Sequence, residues 1–164
     1  MGSMQVGITG HQQREGIDWN WVEAALYAEL GKLSGVQGAL SSLAKGADQV
    51  FARVAISLGI PVIAVIPVRN YERFFSGTDR TEYECLLQQS HINDLGWTGE
   101  DQLGFLSAGK FIVENVDLLF AVWDGHTSRG FGGTGDIVGY ASQISKKIIH
   151  LNPITRRVHQ LAGH

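Results

Sequence analysis

The sequence predicts a single α/β domain of three layers, helices on both faces of a mostly parallel sheet. Three observations point there. Short apolar runs alternate with helical patterns along the chain. One run, residues 61–67, is apolar throughout, as a strand covered on both faces must be. The runs end in small, polar or turn-forming residues, where proteins of this class bring backbone to a ligand.

In chain order, residues 5–9 read as the first strand, stopped by Gly10 and His11. A helix over 19–33 places Val22, Ala25, Leu26, Leu30 and Leu33 on one stripe. Residues 36–43 read as a second strand. The turn Gly46-Ala47-Asp48 follows, with Asp48 as a candidate cap for a helix reaching Leu58. Val50, Phe51, Val54, Ala55 and Leu58 form its buried stripe, and Gly59 stops it. After the strand at 61–67, residues 69–79 read as a loop carrying Tyr71, Arg73, Phe74 and Phe75. A helix over 81–89, an irregular stretch over 91–101 and a helix over 102–115 follow. Residues 116–123 read as a strand ending in Asp124-Gly125, and 126–134 as a loop. A helix over 135–145 turns Ile137, Val138, Ala141 and Ile144 inward. A last strand spans 147–151. Residues 1–3 read as a cloning remnant, 4–152 as the domain, and 153–164 as a polar tail, frayed or briefly helical.

Composition narrows the function classes. The 164 residues are 44% hydrophobic and 18% charged. A net charge of -3 gives no electrostatic footprint for duplex nucleic acid. No apolar run has membrane-spanning length and no signal peptide is legible, so no membrane partner is expected. A single cysteine, Cys85, forbids an intramolecular disulfide and fits a reducing cytoplasm. It is expected to be a buried, inert thiol. The six histidines show no metal-ligand spacing, so no metal and no cofactor are expected.

Chemistry concentrates in a few loops. The strongest signal is Arg129-Gly130-Phe131-Gly132-Gly133-Thr134-Gly135-Asp136. It follows a strand and opens a helix whose free N–H groups suit an anion. The bland alternative is a capped turn with Thr134 as N-cap. The first loop, Thr9-Gly10-His11, is a second candidate. It lacks the GxGxxG fingerprint, and Leu43 and Ala44 stand where an acidic ribose ligand would. The stretch 104–110 imitates a phosphate-binding GxxxxGK motif. Phe111 replaces its Ser/Thr and no strand precedes it, so helix interior is the expectation. Pro67, Tyr71, Trp123 and Asp124 also stand near strand ends. Tyr71 and Trp123 offer rings for a base, although a strand-end Trp is more often core.

Together Gly7-Ile8-Thr9-Gly10-His11, Gly46-Ala47-Asp48, Val65-Ile66-Pro67 with Tyr71, and the segment from Asp117 through Trp123-Asp124-Gly125 to Ala141 resemble the SLOG superfamily. That Rossmann-like group includes the "lonely guy" phosphoribohydrolases, the DNA-processing protein A fold and nucleotide-sensing domains. The final loop and helix are also similar to nucleoside 2-deoxyribosyltransferases. The resemblance implies a nucleotide-type small-molecule ligand and a homodimer. It also exposes a departure. Aligned on either enzyme motif, the catalytic glutamate falls on Ile137. Asp136 is one residue early, about 100° around a helix.

The leading expectation is therefore a binding or sensor protein for a nucleotide or nucleotide-derived ligand. Phosphate is expected on Gly132, Gly133 and Thr134, helped by Gly10 and His11. Asp48 or Asp136 would read the ribose, Arg73 or Arg129 would neutralise charge, and Thr9, Gly46, Pro67, Tyr71 and Trp123 would line the crevice. The alternatives are an N-glycosidase using Asp124 or Asp136, and an interaction module of a larger assembly.

Overall fold

The computed structural model describes residues 3–12, 14–127 and 133–161. One seven-stranded sheet runs in the order β4-β3-β2-β1-β5-β6-β7. Its strands are β1 (Met4–Gly10), β2 (Val36–Ser41), β3 (Val62–Val68), β4 (His91–Trp97), β5 (Leu118–Val122), β6 (Lys147–Asn152) and β7 (Arg157–Leu161). The first six are parallel, and β7 returns antiparallel to β6. The chain builds outward from β1 to β4, then crosses back so that β5 pairs with the other side of β1. That reversal is a topological switch point, which opens a crevice beyond the strand ends.

Helices α1 (Trp19–Gly31), α2 (Ala47–Ser57) and α3 (Gly77–Gln88) contribute to one core, α4 (Asp101–Glu114) and α5 (Thr134–Gln143) to the other. Strand alternation divides the two. In β5, Leu118, Phe120 and Val122 join the first core, while Leu119 and Ala121 join the second. All five are buried, which is why this strand reads as a continuous apolar run.

The structure departs from the sequence expectation mainly at the sheet edges. Residues 91–97 form edge strand β4 instead of irregular chain, in register with β3 from Ile63↔His91 to Val68↔Trp97. Four of its first four side chains are exposed, so no buried face was available to pattern the sequence. Residues 157–161, expected in a frayed or helical tail, form β7 on β6. A 3-10 turn, Tyr71–Phe74, sits within the expected loop, and α3 starts at Gly77, earlier than expected. Cys85 is exposed, not buried. Asp48 does not cap α2, whose N-cap is Gly46. Its Oδ2 instead accepts from the Ala44 N–H at 3.4 Å.

The glycines of the GxxxxGK look-alike lie inside α4 and serve packing. A Cβ on Gly104 would lie 2.5 Å from Val68 Cγ1, and one on Gly109 would lie 2.4 Å from Ile137 Cδ1. Those distances are well inside van der Waals contact. Among the described residues, no helix is long and apolar enough to cross a membrane.

Candidate functional site

The ends of β1, β2, β3 and β5 and the start of α5 enclose a cavity of about 1150 Å³. Its position follows from the topology, because β1 and β5 diverge in connection at the switch point. Backbone closeness shapes its floor. The His11 N–H donates to the Val122 carbonyl at 3.0 Å, and the Ala47 N–H to the His11 carbonyl at 3.1 Å. A Cβ on Gly10 would lie 2.5 Å from that of Ala47. Gly46 has φ of +89° and ψ of -128°, a conformation open essentially to glycine.

Asp124 ties the two sides of the switch point together. Its N–H donates to His11 Nε2 at 3.1 Å, and its Oδ2 pairs with Arg14. Oδ1 accepts from the His126 N–H at 2.9 Å, and its carbonyl accepts from Asn152 Nδ2 at 3.3 Å. The carboxylate is thus engaged at both oxygens. Since His11 Nε2 accepts, its proton sits on Nδ1 and the ring is neutral. Burial, and then the neighbouring Arg14 charge, push the His11 pKa below its usual value, in keeping with that state.

Asp48 stands at the β2–α2 corner of the cavity. Burial pushes its carboxyl up to about 7, although N–H groups of Ala44 and Ser42 favour the charged form. Burial also pushes the Tyr71 phenol well above its usual value, with charge on Asp48 and Tyr83 adding to it. The shift at Asp48 has a consequence for stability. The native carboxyl keeps a proton that the unfolded chain releases, so stability falls as pH rises from about 4 to about 7. Asp48→Asn keeps an acceptor for Ala44 and removes that slope. Relative to the parent, it is expected to gain about 1–3 kcal/mol at about pH 8 and little at about pH 4. Urea melts at the two pH values check this; equal effects at both would refute the buried-acid account.

At the β5 side, α5 begins at the cavity. Gly133 is its N-cap and Thr134 its first residue, so Thr134 is not the cap. Gly133, Thr134 and Gly135 line the cavity. The first N–H groups of a helix have no partner inside it, and with the dipole they favour an anion. Ile137 lines the same region, is 3% exposed and packs on Gly109. The position that aligns with a catalytic glutamate is therefore filled by an aliphatic side chain.

Of the residues singled out from sequence, Thr9, Gly10, His11, Asp48, Pro67, Tyr71, Trp123, Asp124, Gly133 and Thr134 line the cavity. Gly46 shapes it from behind. Asp136 is exposed and is not among the described residues that line the cavity. Arg73 is also outside the lining. Its guanidinium binds the Arg69 carbonyl at 2.6 Å and Asp101 at 2.7 Å. Arg129 and Gly132 lie outside the described residues. Arg14, Ser42, Lys45, Asp79 and Phe105 line the cavity without having been singled out. Arg14 stands four residues beyond the end of β1, and no sequence pattern joins it to Asp124. Among the described residues, no group of three His, Cys, Asp or Glu side chains is placed to hold a metal ion.

No family model matches the sequence, and no curated protein matches it significantly. Solved structures do. DNA processing protein A (DprA) from Streptococcus pneumoniae superposes with a TM-score of 0.66 at 17% identity, over 92% of this chain. The chain shares the Rossmann-like fold of that structure. The molybdenum cofactor carrier protein from Chlamydomonas reinhardtii superposes with a TM-score of 0.53, also at 17% identity, over 91% of this chain. The chain spans 50% of the DprA chain and 76% of the carrier chain. The Rossmann-like fold shared with these structures opens a switch-point crevice at the strand ends.

Proposed function

We propose that the protein binds a nucleotide or nucleotide-derived small molecule in the switch-point cavity and holds it without cleaving it. The observation that carries this reading is the lining itself. Helix N-terminal N–H groups at Thr134 and Gly135 suit an anionic end. Asp48 and Ser42 offer hydrogen bonds for hydroxyls, and Tyr71, Phe74 and Phe105 supply rings. That a carrier of a cofactor shares the Rossmann-like fold supports a binding role on such a scaffold.

Ile137 favours holding over cutting. Cleavage of an N-glycosidic bond needs a carboxylate at the sugar to stabilise developing positive charge. At the position that the resemblance assigns to the catalytic carboxylate Ile137 offers none, and Asp124 is engaged by Arg14 and His126. Calorimetry of the full chain with AMP, GMP, ATP and ADP-ribose tests binding, and chromatography of the same mixtures tests release of base. Saturable binding with unchanged nucleotide is expected. Failure of every nucleotide to bind the folded protein refutes the reading, and base release refutes its second half.

A further inference from the structure

The cavity has a second pole, at the β3 side. Five rings gather there: Tyr71, Phe74, Phe75, Tyr83 and Phe105. Three of them form a closed group. Phe75 stacks on Tyr83 at 4.3 Å, and Tyr71 meets both edge-on, at 5.0 and 5.6 Å. All three are buried. Phe74 differs: it lines the cavity yet is 47% exposed.

Its setting holds it in place. It ends the 3-10 turn that follows Asn70, a residue in the left-handed region at φ +53°. Phe105 packs edge-to-face against it at 5.1 Å. The Arg73 guanidinium lies 4.5 Å from the ring centroid and is itself fixed by Arg69 and Asp101. With Tyr71 tilted against it at 6.2 Å as well, the ring is positioned by three neighbours and lines a cavity, a preorganised platform that loses little freedom when something packs on it.

The other pole is anion-seeking. Strand β3 is three positions from β5 in the sheet, a separation of roughly 14 Å at ordinary strand spacing. A planar ring, a sugar and a phosphate in line bridge a span of that order. We propose that Phe74 is the stacking platform for the planar ring of the ligand, whose anionic end lies at the start of α5. This rests on the nucleotide-type reading above and adds the orientation of the ligand and the residue that reads its ring.

The test compares ligands with and without a base. The full chain and its Phe74→Ala and Phe74→Trp variants are titrated calorimetrically with AMP, GMP, ADP-ribose and ribose 5-phosphate. Phe74→Ala is expected to weaken the base-containing ligands about 10-fold and leave ribose 5-phosphate within about 2-fold. Phe74→Trp is expected to restore or tighten their binding. Because Phe74 is half exposed, thermal melts of both variants should stay close to the parent. Unchanged affinity for AMP, GMP and ADP-ribose in Phe74→Ala, or an equal loss for ribose 5-phosphate, overturns the stacking role alone. No binding of any of the four to the parent overturns the nucleotide reading and the stacking role with it.

Discussion

Gly46→Ala is expected to lower stability by about 4 kcal/mol, the sum of a backbone conformation closed to other residues and a steric conflict. At this chain length that corresponds to a fall in Tm of roughly 8–16 °C. The added Cβ would lie 2.2 Å from the Gln12 carbonyl oxygen and 2.7 Å from that of His11. Those atoms are backbone, and His11 is held by the Val122 carbonyl on one side and Ala47 on the other. The conflict cannot be relieved by a rotamer change, so the floor of the cavity must move. Gly59→Ala is the control. Gly59 also has positive φ, at +75°, but a Cβ there meets nothing within 4 Å. It should therefore lose only the backbone share, about 1 kcal/mol. Equal losses in the two variants, measured by thermal denaturation, would show that the close approach of α2 to the first loop is not a constraint.

Ile137→Glu is expected to cost about 3–4 kcal/mol at about pH 8 and clearly less at about pH 5. The substitution removes an aliphatic side chain whose Cδ1 and Cγ1 fill the space left by Gly109. It also places a carboxyl where Val138, Ala141 and Ile112 form the local core. Burial raises the pKa of such a group above its value in the unfolded chain. The native state then holds a proton that the unfolded state releases, and stability falls as pH rises through that interval. Urea denaturation at the two pH values reads both magnitude and sign. A small loss that does not depend on pH would mean that this position faces solvent, and the case against a cleavage role would weaken accordingly.

Much of the fold was legible because its central strands are covered on both sides. Residues 62–68 and 118–122 carry unbroken apolar runs for that reason. The edges were illegible for the converse reason. In β4 and β7 the side chains are mostly exposed, and pairing with β3 or β6 is a backbone property that leaves little mark on composition. The site divides in the same way. Thr9, Gly10 and His11, at the end of β1, and Asp48, at the start of α2, were legible as cavity lining because they gather at the strand-end edge of the sheet, where this topology opens a crevice. Arg14 was not, since its partner Asp124 is distant in the chain. Helix rotation separates the neighbours Asp136 and Ile137, which the sequence alone sets side by side: Asp136 is exposed and Ile137 lines the cavity.

The hydrogen bond from Asp124 to His11 joins residues 113 apart in sequence. Every strand from β2 to β4 is made between them. Such a closure is slow to find and is rewarded only when both halves are in place. The crevice therefore does not belong to either half of the chain. A fragment ending before β5 lacks Trp123, Asp124 and the start of α5 that complete the cavity, and during synthesis the cavity is incomplete until β5 and α5 emerge. On the reading proposed above, a ligand of the completed crevice would bind only the closed chain and so stabilise this long-range contact.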